Sequence, residues 1–206
     1  MKDGTKQYLE TIAWLGELYN YMNVKLFNRE LKRPVITVQA DESGRAYGWF
    51  TLKRMWKENP DDEGEFEINM SAQYLARPVN EIASTLIHEM CHQYAQVHNV
   101  QDCSRSCTYH NKLFKKIAEE HGLHVEKVDR VGWSHTSLTG ATAELLGYFL
   151  KDFPATLICR ERPQKGTRVT SSSTRKYVCP CCGMSVRATR TVSIMCADCM
   201  EFLTVV

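Results

Sequence analysis

At 206 residues, 43% hydrophobic and 24% charged, the chain has the balance of a globular protein, with length for one ordinary domain or one plus a small module. No apolar run approaches the roughly 18 residues of a membrane helix. The start, Met1-Lys2-Asp3-Gly4-Thr5-Lys6, lacks the apolar segment of a signal peptide, so no membrane partner is expected and the location expected is cytoplasmic or nucleoid-associated. Net charge is only +2, yet from Arg160 to Arg190 eight basic residues meet one acid, Glu161. The rest of the chain is therefore net acidic, and the basic tail points to a polyanionic partner.

Tyr8, Ile12, Leu15, Tyr19, Met22 and Leu26 recur at three- and four-residue spacing and predict an amphipathic helix over 5–30, ended between Asn28 and Pro34. Val35–Gln39 reads as a strand, and 46–52 as a second behind the Ser43-Gly44 turn. Residues 59–64 are a loop, and 65–70 alternates as a half-buried strand would. Three short strands after a helix predict a small, mostly antiparallel sheet. Asn80 suits the cap of a helix over 81–98, with Asn99 as the left-handed residue after its end. A polar loop over 100–108 then leads to a helix over 109–121 stopped by Gly122, and another follows over 141–150. Residues 159–174, with Pro163, Gly166 and Ser171-Ser172-Ser173, read as a basic, Ser-rich linker.

His88-Glu89-Met90-Cys91-His92 carries the chemistry. Four residues on a helix turn about 400°, so both imidazoles leave one face and fit one zinc ion. Glu89 then stands beside the metal, placed to take a proton from zinc-activated water and pass it to a leaving amine. Ile82, Leu86 and Met90 would pack inward. His98 is the nearest third histidine, but Ala95 stands where a sharp turn would need glycine; the helix should continue and put His98 on the wrong face. His110, at the start of the next predicted helix, is the better third ligand. Cys91 reads as a buried small hydrophobe, because a thiolate there would close the open metal position that catalysis needs.

With these residues in view the sequence resembles the SprT-like family, which includes the Spartan proteases. The resemblance is carried by 87–92, by Tyr109-His110-Asn111-Lys112-Leu113-Phe114-Lys115, by Glu67-Ile68-Asn69, by Gly132-Trp133 and by the C-terminal cysteine pairs. It implies a zincin fold, zinc on His88, His92 and His110, Glu89 as base, and a peptidase, which in the Spartan branch cleaves proteins crosslinked to DNA. One departure stands out: many members carry His-Gly at the third ligand, where this chain has His110-Asn111.

Near the C-terminus Cys179-x-x-Cys182 and Cys196-x-x-Cys199 form a four-thiolate set for a second, structural zinc; Cys181 is left out because Cys179 and Cys182 keep the two-residue gap before Gly183. Arg175, Lys176, Tyr177, Arg187 and Arg190 lie beside it, placed to contact phosphates and stack on a base. The chain is thus expected to be α+β: a zincin-like metalloprotease domain over 1–158, the linker over 159–174, and a small β zinc ribbon over 175–206. The expected function is zinc-dependent peptide-bond hydrolysis, with the ribbon bringing a protein substrate on DNA, single-stranded or crosslinked to protein. The alternative is a non-proteolytic adaptor with an inactive zincin domain. A zinc hydrolase of another amide is a third possibility.

Overall fold

Asp3 starts the first helix: its carboxylate accepts the N–H groups of Thr5 and Lys6 at 2.9 and 3.4 Å, and α1 runs Gly4–Leu26. It ends short of the predicted 30 because Asn28 and Arg29 take left-handed φ angles of 51° and 64°. The computed structural model describes residues 3–42, 44–105, 107–161 and 174–206. Ser43 of the predicted turn and most of the predicted linker, 162–173, lie outside the described residues. The chain forms two compact units, Met1–Arg162 and Pro163–Val206. The first combines helices with small sheets, the described part of the second has small sheets alone, and among the described residues no helix is long and apolar enough to cross a membrane.

In the first unit β1 (Val35–Gln39), β2 (Gly48–Phe50) and β3 (Glu67–Ser71) form a sheet in the order β1-β3-β2. β2 runs antiparallel to β3, but β1 runs parallel to it through five paired positions, so this sheet is mixed and not mostly antiparallel. The excursion through β2 and residues 51–66 returns the chain to the starting end of β1, which is what parallel pairing requires. β3 is also buried on both faces, not one. Most of its polar groups are satisfied internally: the Glu67 carboxylate accepts from Trp56 Nε1 at 2.9 Å, Asn69 Oδ1 accepts the Gln39 N–H at 2.8 Å, and the Thr37 hydroxyl lies between the two side chains, 2.7 Å from Glu67 Oε1 and 2.9 Å from Asn69 Oδ1, whereas the buried Asn69 Nδ2 has no hydrogen-bond partner among the described residues.

α2 (Val79–Val97) lies at the centre of the core. Ile82, Ala83, Leu86, Ile87, Met90 and Cys91 are fully buried, each large aliphatic side chain contributing about 1.5–3 kcal/mol by its removal from water. The helix begins after Pro78, two residues ahead of the predicted cap at Asn80. Its end is a Schellman turn: Asn99 has φ 54°, the Val100 N–H donates to Ala95 O at 2.8 Å and the Asn99 N–H to Gln96 O at 3.3 Å. The chain therefore reverses within a few residues and runs back along α2.

Four strands follow in the order β4-β5-β7-β6: β4 (Cys103–Ser104), β5 (Tyr109–His110), β6 (Leu123–Val128) and β7 (Gly132–Leu138). α3 (Lys112–Glu120) separates β5 from β6, and α4 (Gly140–Asp152) closes the unit. The helix predicted from 109 starts at Lys112, since Asn111 is its cap and accepts the Leu113 and Phe114 N–H groups at 2.7 and 3.2 Å. His110 therefore sits on a strand. The antiparallel β6–β7 hairpin was not expected from the sequence.

In the second unit β8 (Arg175–Val178) pairs antiparallel with β9 (Ser185–Ala188) and with β12 (Thr204–Val205), while β10 (Met195–Cys196) pairs with β11 (Glu201–Phe202). Tyr177, Cys179, Cys196 and Leu203 form its small core.

Candidate active site and metal centres

Three imidazoles converge from two elements. His88 and His92 project from one face of α2, and His110 comes from β5. Their Nε2 atoms are 3.1 Å apart for His88–His110, 3.2 Å for His88–His92 and 3.1 Å for His92–His110. Three nitrogens at that spacing share a point about 2 Å from each, the zinc–imidazole bond length, with the fourth tetrahedral position left open.

The opposite ring nitrogens fix which face each histidine offers. His92 Nδ1 lies 2.5 Å from Asp102 Oδ2, and His110 Nδ1 lies 3.3 Å from the Val131 carbonyl. Both partners only accept, so Nδ1 carries the proton in each ring and the Nε2 lone pair points inward. His88 Nδ1 meets the Thr136 hydroxyl at 3.3 Å. Phe114, fully buried, packs against all three rings at centroid distances of 4.6 and 4.7 Å. Burial, reinforced by the neighbouring imidazoles, holds His88 well below the usual histidine range and His110 at about 4. Two of the three imidazoles are thus neutral at pH 7, the form that could bind a metal. Neutral lone pairs crowded together with no proton between them fit a cation, and an all-imidazole set with an open position fits zinc.

Local structure explains the convergence. The reversal after α2 brings Asp102 to His92, ten residues ahead in sequence. The Asn111 N–H donates to Asp102 O at 3.0 Å and Asn111 Nδ2 to Gln101 O at 2.7 Å, which ties the segment behind His110 to the segment that holds His92. Asn111 has φ −91°, an extended conformation open to any residue, so this chain has no need of glycine after its third histidine. Gly132 is different: it has φ 78°, and a Cβ there would lie 2.1 Å from the His110 carbonyl. It lets β7 pair with His110 while Val131 O accepts the His110 N–H at 2.9 Å.

Glu89 is buried beside the triad, and burial raises its carboxyl to about 7 despite the Phe50 N–H that donates to it. A cation on the histidines would favour its charged form. β2 crosses α2 at this point: a Cβ on Gly48 would lie 2.8 Å from Asn69 O, 3.2 Å from Thr85 Cγ2 and 3.4 Å from Glu89 Cγ. His98 lies away from the three imidazoles, on Glu30 at 3.1 Å and the Tyr94 ring at 4.1 Å. Cys91 is wholly buried, and Cys103 is buried in β4 instead of lying in an open polar loop.

Nothing in the sequence pattern places Asp102, Thr136 or the Phe114 ring at the site. Phe114 stands out in the sequence only as part of the 109–115 motif. Asp102 shows no periodic signal, and only the reversal at Asn99 could have pointed to it.

In the second unit the Sγ atoms of Cys179, Cys182, Cys196 and Cys199 lie within 4.8 Å of one another, with Cys182 and Cys196 3.7 Å apart. Thiolates about 2.3 Å from a shared tetrahedral zinc would stand about 3.8 Å apart. Both pairs make the same turn: the Gly183 N–H donates to Cys179 O at 3.0 Å and the Met200 N–H to Cys196 O at 2.8 Å, with φ 74° and 56°. The Cys182 N–H pulls the Cys179 thiol down to about 7. Cys181 is exposed and outside the cluster. Arg175, Lys176, Arg187 and Arg190 are exposed, but Tyr177 is buried in the core with its hydroxyl accepting the Val192 N–H at 3.1 Å. Its ring has no free face for a base, because so small a module needs it for packing.

No curated protein and no solved structure matches the chain. The model of the SprT-like family matches residues 15–132, more than half of the chain and the stretch holding His88, Glu89, His92, Asp102 and His110. The chain belongs to the SprT-like family.

Proposed function

We propose that this protein is a zinc-dependent metalloendopeptidase with a zincin-like catalytic domain, and that its C-terminal zinc ribbon recruits it to DNA or to proteins crosslinked to DNA. The observation that carries the reading is the buried Glu89 carboxylate beside three inward-facing imidazole Nε2 atoms. His88, His92 and His110 would hold the ion. Zinc, when bound, lowers the pKa of a water to about 7 and polarises a carbonyl. Glu89 takes the water's proton and returns it to the leaving amine. Asp102, Thr136 and the Val131 carbonyl keep the imidazoles in register, and Phe114 keeps water from behind them.

β2 supplies a place for the peptide. Thr51 N–H donates to Glu67 O at 3.0 Å and Ser71 N–H to Tyr47 O at 2.9 Å, so Gly48 and Phe50 between them turn their backbone groups to the other edge. The Phe50 N–H is taken by Glu89, but among the described residues no strand covers that edge, and an extended chain can add to it at Gly48, alongside Glu89. The ribbon reading rests on charge: Lys176 and Arg187 stand directly opposite on β8 and β9, a like-charge pair that a phosphate backbone relieves.

The full chain loaded with zinc should cut a chemically unfolded protein, lose this activity to a chelator and regain it with added zinc. Zinc-loaded protein that leaves both unfolded and DNA-bound proteins intact would exclude proteolysis and leave the adaptor reading.

A further inference from the structure

The crossing of β2 and α2 does not end at Glu89. Thr85 lies one helical turn earlier on the same side of α2, against the bare Cα of Gly48. Its hydroxyl oxygen accepts from Arg77 Nη2 at 3.0 Å, and Arg77 Nε donates to Tyr74 O at 3.0 Å. The guanidinium lies 4.0 Å over the ring of Tyr47, the residue that leads into β2, and Tyr47 is half exposed. A cation is thus held at the head of the strand edge that passes Glu89.

This cation has one acidic partner, and holds it loosely. Its side chain is only 16% exposed, while its acidic neighbour Glu81 is 56% exposed and stands 3.7 Å from Nη1, beyond hydrogen-bond reach. Two of the guanidinium's three nitrogens are committed to neutral oxygens, and among the described residues Nη1 meets only that carboxylate. A planar fork fixed by hydrogen bonds and by an aromatic face is the form in which arginine recognises carboxylates.

We propose that Arg77 is a specificity-determining residue, binding a carboxylate of the peptide that lies along β2. This rests on the proteolytic reading above. Glu81 is the resident competitor: it occupies Nη1 loosely in the free protein and swings into solvent when a substrate carboxylate arrives. Tyr47 forms the wall against which the acidic side chain packs. The shared chemistry is a carboxylate, from an internal Asp or Glu or from a chain terminus.

The test uses zinc-loaded full chain and fluorogenic peptides identical except for Glu, Gln or Lys at one position at a time, each with a free or amidated C-terminus. At one position wild type should prefer Glu over Lys by about ten- to hundredfold in kcat/KM, the range of a charged hydrogen bond. Preference for the free C-terminus alone would assign the subsite to a terminal carboxylate. Glu81→Gln should widen the ratio, and Arg77→Glu should invert it with zinc content unchanged. A residue that only braced Tyr47 against α2 would produce neither effect. Equal Glu/Lys ratios in wild type, Glu81→Gln and Arg77→Glu overturn the proposal. If Arg77→Glu does not fold, Glu81→Gln decides alone. Binding of the same peptides to Glu89→Gln separates the two readings. If wild type cuts no peptide, proteolysis fails, and a Glu preference in binding that Glu81→Gln strengthens still upholds Arg77, whereas its absence overturns it. An oligonucleotide that displaces the Glu peptide from wild type but not from Arg77→Glu would assign the subsite to phosphate and likewise overturn it.

Discussion

Replacing Asp102 by alanine should weaken zinc binding at the three-histidine site by about ten- to hundredfold, the cost typical of losing a carboxylate behind a metal-bound histidine. The carboxylate is buried, its Oδ2 stands 2.5 Å from His92 Nδ1, and it fixes the tautomer that turns Nε2 inward. With it gone, Nδ1–H loses its acceptor in a nearly dry site and the ring is free to rotate. Asp102→Asn keeps a neutral acceptor of the same shape. Because a charge-assisted hydrogen bond is roughly twice as strong as a neutral one, Asn should cost about 1 kcal/mol, or several-fold in affinity. The backbone carbonyl of Asp102 still accepts the Asn111 N–H in both variants, so the fold should survive. Competition against a chromophoric chelator measures the affinity of the first unit, with ribbon zinc counted separately. The order wild type, Asn, Ala is predicted. An alanine variant that folds and binds zinc within twofold of wild type would refute the argument that Asp102 orients His92.

His110→Ala should lower zinc stoichiometry by about one ion, whereas His98→Ala should leave it unchanged, since His98 contacts Glu30 and Tyr94; metal analysis of the purified variants decides. Gly48→Val should cut activity far more than zinc content, because its side chain would push β2 off Thr85 and Glu89 without touching a ligand; parallel zinc and cleavage assays check this. Cys196→Ser should remove the ribbon zinc and unfold the second unit, which has almost no core without it, while the histidine site stays loaded. Two zinc signals followed through thermal unfolding would show one lost and one kept.

Sequence spacing made some of this site legible. His88 and His92 share a helix face by simple geometry, the four clustered C-terminal cysteines announce themselves by two equal gaps, and Ala95 tells against His98 because it predicts that α2 continues past it, which it does. Motif context favoured His110 even though the helix predicted around it proved to be a strand followed by a cap at Asn111. What stayed hidden depended on long-range geometry. Asp102 matters only because the Asn99 turn folds the chain back, and Thr136 only because the unforeseen β6–β7 hairpin lies against α2. The hairpin left a trace in the alternation of Leu123 and Val125 and in Gly132, whereas the left-handed Arg130 left none. The parallel pairing of β1 and β3 left none, because alternation reports which face is buried and not strand direction. Tyr177 reads as a stacking residue from its basic neighbours, but its place on the inner face of β8 puts it in the core of the second unit.

The central claim is that Glu89 works on a water at the three-histidine site, and the most direct measurement compares wild type with Glu89→Gln on a protein crosslinked to single-stranded DNA, and on the same protein without DNA. Wild type should produce fragments, faster with DNA. Glu89→Gln, with equal zinc, should be slower by about a hundredfold or more, as expected for loss of a general base. Equal cutting by both proteins, or none by either, would contradict the account.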